Sequence, residues 1–369
     1  MWTFHLPTKI IFGSGSTASL AAMPELAGRH TVVVTDPIIG KFPAIQAVIE
    51  KLSPIAVFDD VRPNPTVANV DALTELLCKE DAQAVVAIGG GSALDCAKGA
   101  AFLAVTEDAS IQAYHSGGKP VAKQGLPLVT VPTTAGTGSE VTPIVVLDDE
   151  AKNIKAPLAS PWFYPVCAVV DPNLTLSVPL GVTAATALDA LSHAIEGYWS
   201  KNHQPICDAL AKEAAKTIFA NLPKVYDNLG DPVARERLSY AALIAGIAFQ
   251  MPKNAIMHAC SFPLSNRAHL PHGTACAFTM EPAIRLNAPY MEGRMEEFAT
   301  ACGFANVDEM IAQITVLKKR GGLPCTLKEA GIAPELVKTL IKESFNPIMK
   351  NNPKEITVED LQKMYQELD

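Results

Sequence analysis

A change of pattern near residue 178 constrains this chain more than any other feature. Before it, short β-branched runs alternate with helical stretches. After it, no strand-like run recurs. TVVVTD (31–36), AVVAIGGG (84–91), LPLVTVPTT (126–134), TPIVVLDD (142–149) and PVCAVVDP (165–172) read as buried strands ending in polar or glycine turns. FPAIQAVIEKL and TVANVDALTELLCKE, between the first two, have helical apolar spacing. Alternation of this kind predicts an α/β domain with a mainly parallel sheet covered on both faces. Beyond LSVPLGV (176–182), segments such as AATALDALSHAIEGYW, ICDALAKEAAKTIFANLPKVYDN and VARERLSYAALIAGIAFQ are helical in period and rich in good helix formers. The expected organisation is an α/β domain over 1–178 and an all-α domain over 179–369, packed around a cleft.

Composition narrows the function classes. The 369 residues suffice for two ordinary cores, and 49% hydrophobic residues exclude a disordered chain. A net charge of −8 argues against nucleic-acid or acidic-membrane partners and leaves a small-molecule substrate as the expectation. Eight cysteines are scattered without a CxxC pair, the pattern of reduced and mostly buried thiols. The opening MWTFHLPTKIIFG has no signal-peptide profile, and no apolar run approaches the ~20 residues that span a bilayer, so the expected compartment is the cytoplasm.

Two loops point to a nucleotide. In AVVAIGGGSALDCAKGAA a strand runs through Gly89, Gly90 and Gly91 into a helix, so backbone amides and the positive helix end can approach a pyrophosphate. Asp95, one turn into that helix, is an odd phosphate neighbour and reads as orienting the loop or binding a ribose. In VPTTAGTGSEVTPIVVL, Thr133, Thr134, Thr137 and Ser139 supply hydroxyls, and Gly136 and Gly138 permit close backbone approach. Asp36, at the end of TVVVTD, suits a ribose 2′-OH and would repel a 2′-phosphate, favouring NAD over NADP; the competing reading is a helix cap.

A metal site is the second expectation. Asp189 and His193 stand at i and i+4, on one face of a helix. His258 and His272 follow in MHACSFPLSNRAHLPHG, where Pro263 and Pro271 are expected to prevent one unbroken helix. One carboxylate and three imidazoles suit Fe(II), Zn(II) or a similar ion. The remaining histidines, His5, His30, His115 and His203, read as ordinary surface residues.

With these motifs in order, the chain resembles the iron-containing (group III) alcohol dehydrogenase family, of which lactaldehyde reductase is typical. The likeness runs from KIIFGSGS through VRPNPT, GGGSALDCAK, PTTAGTGSEVT and DALSHAIEGY to HLPHG. It implies a dinucleotide-binding domain, a helical metal-binding domain, and assembly into a homodimer or larger homo-oligomer. It places metal ligation on Asp189, His193, His258 and His272. NAD(H) contacts fall on Asp36, Asn64, Gly90, Gly91, Ser92, Asp95, Thr133, Thr134, Thr137 and Lys155.

The implied reaction is NAD(H)-dependent interconversion of alcohol and aldehyde, with one divalent metal, Fe(II) or Zn(II), polarising the substrate oxygen. Three departures from the family pattern bear on the substrate. Phe262 stands where many relatives carry a further histidine suspected of relaying protons, which leaves His269 as a speculative substitute. FQMPKNAIMH, with Lys253 and Asn254, replaces a glycine-rich stretch, and Arg267 replaces an aromatic residue. Lys253 and Arg267 are expected to grip an anionic tail on a short aldehyde such as sulfoacetaldehyde or phosphonoacetaldehyde. The alternatives are a simple-alcohol, diol or lactaldehyde oxidoreductase of the same family and, more remotely, a 3-dehydroquinate synthase-like lyase.

Overall fold

The computed structural model describes residues 1–152 and 154–369, and its chain divides into two compact units. One comprises residues 5–134 and 138–175; the other comprises 1–4, 135–137 and 176–369.

The first unit is built on six parallel strands: β1 (Lys9–Phe12), β2 (Thr31–Val34), β3 (Ala56–Phe58), β4 (Ala84–Gly89), β5 (Leu128–Pro132) and β8 (Cys167–Val170). Their order is β1-β8-β5-β4-β2-β3. Every residue of β2, β4, β5 and β8 is buried, as a sheet covered on both sides requires. Alternation along β2 shows the two faces. Val32 and Val34 join one apolar cluster with α2 (Val67–Lys79) and α3 (Gly91–Leu103), whereas Val33 joins another with α1 (Pro43–Leu52). The expected helices therefore form close to where their periodicity put them. Strands β1 and β3 lie at the sheet edges, are short and only partly buried, and carried too little alternation to be read from sequence.

One expected sheet strand lies elsewhere. TPIVVLDD contributes β6 (Ile144–Asp149), which pairs antiparallel with β7 (Ile154–Ala159) in a separate two-stranded sheet. Burial alternates along β6, with Val145, Leu147 and Asp149 inward. A half-buried hairpin strand and a fully buried one can both present an unbroken apolar run, so the sequence does not separate them. His115 also departs from expectation. It is 1% exposed, with Nε2 against the Ala156 carbonyl at 3.1 Å.

The second unit has no strand among its described residues. Its early helices are α4 (Leu180–Trp199), α5 (Pro205–Asp227), α6 (Pro232–Phe249), α7 (Ile256–Ala268) and α8 (His272–Phe278). Helix α4 is buried from Thr183 almost continuously to its end, as its alanine- and leucine-rich sequence predicts for a central helix. Gly197 lets it run close to α6, because a Cβ there would stand 3.1 Å from the Ala248 carbonyl oxygen. No described helix is long and apolar enough to cross a membrane.

No single helix joins His258 to His272, as expected, but Pro263 is not the residue that breaks it. It lies inside α7, where it withholds the N–H that the Ala259 carbonyl would accept. Asn346 supplies the replacement, donating from Nδ2 to Ala259 O at 3.2 Å. The break comes at His269, which ends α7 in the left-handed conformation (φ 56°), and at Pro271, the N-cap of α8.

Candidate metal centre and nucleotide-binding loops

Helix α4 places Asp189, His193 and Glu196 on one face, because i, i+4 and i+7 recur every two turns. Helix α7 brings His258, and α8 begins at His272. Gly273 allows that start: a Cβ there would lie 2.4 Å from the Ala185 carbonyl oxygen of α4, so a larger residue would push His272 away. The four expected donors do converge. Asp189 Oδ1 lies 4.0 Å from His193 Nε2, 3.7 Å from His258 Nε2 and 3.8 Å from His272 Nε2. His193 Nε2 and His258 Nε2 are 3.0 Å apart. Donors about 2.0–2.2 Å from a common ion stand roughly 3–4 Å from one another, and these four distances fall in that range, although the donor atoms that all lie within 4.8 Å of one another are those of Asp189, His258, His272 and Cys276, without His193.

The chemistry agrees with the spacing. Asp189 is 2% exposed, and its Oδ1 has no hydrogen-bond partner among the described residues. A buried carboxylate oxygen without a partner costs several kcal/mol unless a cation meets it (about 1–3 or more). His193 is pushed down to about 3, first by burial, with His258 and His272 adding to the effect against Asp189. A neutral imidazole is the form that ligates a metal. Phe249, the last residue of α6, stacks on the His193 ring at 4.1 Å and fixes its plane.

Two residues beside these donors escaped the sequence reading. Glu196 is fully buried and accepts two bonds of 2.6 Å, one from His258 Nδ1 and one from the Met257 backbone N–H. It thereby holds Nδ1–H and turns Nε2 toward the other donors. For His258, burial opposes the charge, but Cys276 and Glu196 outweigh it and carry the group well above its usual value, so an ion ligated at Nε2 would displace a proton from that nitrogen. The DALSHAIEGY spacing carried this signal, yet a glutamate near a helix end ordinarily reads as solvated. The second is Cys276, four residues after His272 on α8, whose sulfur groups with Asp189, His258 and His272 within 4.8 Å.

Of the expected nucleotide residues, Asp36, Gly90, Gly91, Thr133 and Thr134 follow the carboxyl ends of β2, β4 and β5, which are neighbours in the sheet. Gly90 is the N-cap of α3 and makes no side-chain cap, so the first amides of the helix are open to an anion. A Cβ on Gly89 would stand 2.5 Å from Ala93 Cβ, which accounts for that glycine. Beside it, Thr133 N donates to Gly89 O at 3.0 Å, and Thr134 lies against Gly90. Asn64, in the left-handed region (φ 57°), donates its N–H to Ser92 Oγ at 3.2 Å. The Asn64 Oδ1 accepts from Lys155 Nζ at 2.7 Å. Thr137 belongs to the helical unit.

Two expected contacts have occupations of their own. Asp95 is 9% exposed and accepts from Ser139 Oγ (2.5 Å), Val146 N (2.9 Å) and Lys98 Nζ (3.4 Å). Its carboxylate thus ties α3 to the Ser139 turn and β6, the orienting role that the sequence left open. Asp36 caps the turn after β2, its Oδ1 accepting from Ile38 N (2.9 Å) and Ile39 N (3.0 Å).

The residues expected to meet the substrate differ in their surroundings. Lys253 follows α6 with φ 72°, its N–H bonded to the carbonyl of Phe249, the residue that stacks on His193. Burial pushes its ammonium below the usual range, and it has no ion pair among the described residues. Asn254 Oδ1 is buried without a partner among the described residues. Phe262 is half-buried, one turn beyond His258. Arg267 is otherwise engaged: its guanidinium forks onto Glu343, with Nη2 at 2.7 Å from Oε1 and Nε at 3.0 Å from Oε2. It is not the uncommitted cation that the sequence suggested. His269 is an exposed helix-terminating residue.

Known proteins resemble this chain in sequence and in fold. Residues 7–172 match the family described as iron-containing alcohol dehydrogenase, and residues 183–368 match the C-terminal region of the same family. The chain is 33% identical to the 1-propanol dehydrogenase of Salmonella typhimurium, with full coverage of both. It is 31% identical to the NAD-dependent methanol dehydrogenase of Bacillus methanolicus, over 98% of each chain. Among solved structures, sulfoacetaldehyde reductase from Bifidobacterium kashiwanohense, in complex with NAD+, superposes with a TM-score of 0.94 at 43% identity, covering 100% of this chain and 98% of that one.

Proposed function

The chain belongs to the iron-containing alcohol dehydrogenase family, and from that premise we propose that it reduces a short aldehyde carrying an anionic tail, at the expense of NADH. Sulfoacetaldehyde and phosphonoacetaldehyde have this chemistry. The observation that carries the reading is Lys253: a desolvated ammonium without an ion-pair partner among the described residues, fixed at the end of the helix that packs on His193. An unpaired cation in such surroundings is costly in the free protein and gains most from an anionic ligand. The 43% identity to a protein known as a sulfoacetaldehyde reductase supports the same assignment.

When bound, the divalent ion polarises the substrate oxygen, and NAD(H) exchanges the hydride with the adjacent carbon. Asp189, His193, His258 and His272 hold the ion, and Glu196 keeps the His258 Nε2 turned toward the other donors. The amides of Gly90, Gly91 and Ser92 would hold the pyrophosphate, with Thr133 and Thr134 on the neighbouring loop. Asp36 accepts from a ribose hydroxyl through Oδ2, since Oδ1 is committed to the turn. The Asn64–Lys155 pair presents an ammonium at the same loop. Lys253 binds the anionic tail and Asn254 assists, while Phe262 contributes an apolar wall. Phe262 cannot carry a proton, so the substrate oxygen exchanges its proton with water or a cofactor hydroxyl.

A second reading is reduction of uncharged short aldehydes, as the names of the propanol and methanol dehydrogenases suggest for those relatives. The two separate in one assay with wild type and Lys253→Met. The proposal expects kcat/KM to favour sulfoacetaldehyde or phosphonoacetaldehyde over propanal in the wild type. In the variant, KM for the anionic substrate rises at least about tenfold, consistent with loss of one charge-assisted contact of ~1.5–3 kcal/mol, while propanal kinetics hold. Wild-type preference for propanal would refute it.

A further inference from the structure

We propose that Cys276 gives the metal centre a further protein donor, a thiolate, grouped with Asp189, His258 and His272. The inference rests on the reading of Asp189, His193, His258 and His272 as the ion's ligands. Two independent observations support it. The first is position. Cys276 Sγ stands 3.8 Å from His272 Nε2 and groups with the donor atoms of Asp189, His258 and His272 within 4.8 Å. Metal–sulfur bonds of about 2.3 Å and metal–nitrogen bonds of about 2.0–2.1 Å at tetrahedral-like angles leave S and N roughly 3.5 Å apart, close to that spacing. The i, i+4 relation on α8 places the sulfur on the same side as the imidazole.

The second observation is Asp189 Oδ1, a buried anionic oxygen with no hydrogen-bond partner among the described residues, which faces the same group of atoms. An ion at that point meets both. On binding, a sulfur–metal bond forms and the thiol proton leaves to water. Cys260 provides the contrast. It is equally buried, on the helix of His258, but it does not join the donor group. A thiolate is a softer donor than carboxylate or imidazole, so its presence moves the site's preference toward Zn(II) and Co(II) relative to Mn(II).

The test is cobalt spectroscopy on the full chain, stripped of metal with a chelator and reloaded with Co(II), with bound metal counted per chain. The wild type is expected to bind one Co(II) and to show a thiolate-to-cobalt charge-transfer absorption in the near ultraviolet. Cys276→Ala and Cys276→Ser should each retain the ion and lose the band, whereas Cys260→Ser keeps both. Cys276→Ala should also weaken Zn(II) relative to Mn(II) by at least about tenfold, the size of loss already known for groups that only support ligands. Bound cobalt without the band, or a band that survives both Cys276 variants, overturns the proposal and leaves the four-ligand site standing. Failure of the wild type to bind cobalt, or undiminished binding in Asp189→Asn, overturns the four-ligand reading and this proposal with it.

Discussion

Replacing Glu196 by glutamine tests how far the metal centre depends on one buried carboxylate. Glu196 accepts from two donors at once, His258 Nδ1 and Met257 N, each at 2.6 Å. Glutamine is nearly isosteric but has a single oxygen. Whichever way the amide turns, its NH2 group must face one of the two N–H donors. If it faces Met257, that backbone donor is left unpaired in the interior, at about 1–3 kcal/mol. If it faces His258, the imidazole must move its proton to Nε2, the atom that stands 3.7 Å from Asp189 Oδ1. A proton there blocks ligation.

Loss of such supporting groups typically costs about 10–100-fold in metal affinity. The expected outcome is therefore a modest loss of stability, about 1–3 kcal/mol, with a disproportionate loss of Zn(II) or Co(II) affinity. Glu196→Ala should lose more stability, because both donors go unpaired. Isothermal titration of the stripped protein gives the affinity, and denaturant melts of the metal-free forms give the stability. Metal affinity of Glu196→Gln within twofold of wild type, together with no loss of stability in the melts, would refute the argument.

Gly273→Ala should displace the start of α8, because its Cβ would sit 2.4 Å from Ala185 O; metal titration is expected to show weakened binding, with about 1–3 kcal/mol lost in melts. Glu140 is 4% exposed, and burial raises its pKa from 4.5 to about 7. The folded state then holds a proton that the unfolded state has released, so this group's contribution to stability falls as pH rises from about 4.5 to about 7 and is flat above. At 1.36 kcal/mol per unit the penalty is about 3 kcal/mol, so Glu140→Gln should gain on wild type between pH 5 and pH 8, and parallel melting curves at the two pH values would refute this. Asn346→Asp removes the donor to the Ala259 carbonyl but retains the cap on Ile348 N. It should cost about 1–3 kcal/mol alone and less in combination with Pro263→Ala, which restores the helical bond; additive losses in that double-mutant cycle would count against the exchange.

The sequence by itself determined whatever depends on local spacing. The four central parallel strands, the change to helices after residue 178, the glycine turn at Gly89–Gly91 and the facing pair Asp189 and His193 follow from buried apolar runs and from a period of 3.6 residues. Motif order extended this to His258 and His272. What escaped the sequence depends on which distant segment lies opposite. β6 finds β7 and leaves the main sheet, Asn346 repairs the helix over Pro263, and Glu343 neutralises Arg267. The same holds for Glu196 and Cys276: their helix faces were legible, but their partners were not. A buried charge or thiol acquires its role from the atoms that replace its water, and only tertiary structure decides which atoms those are.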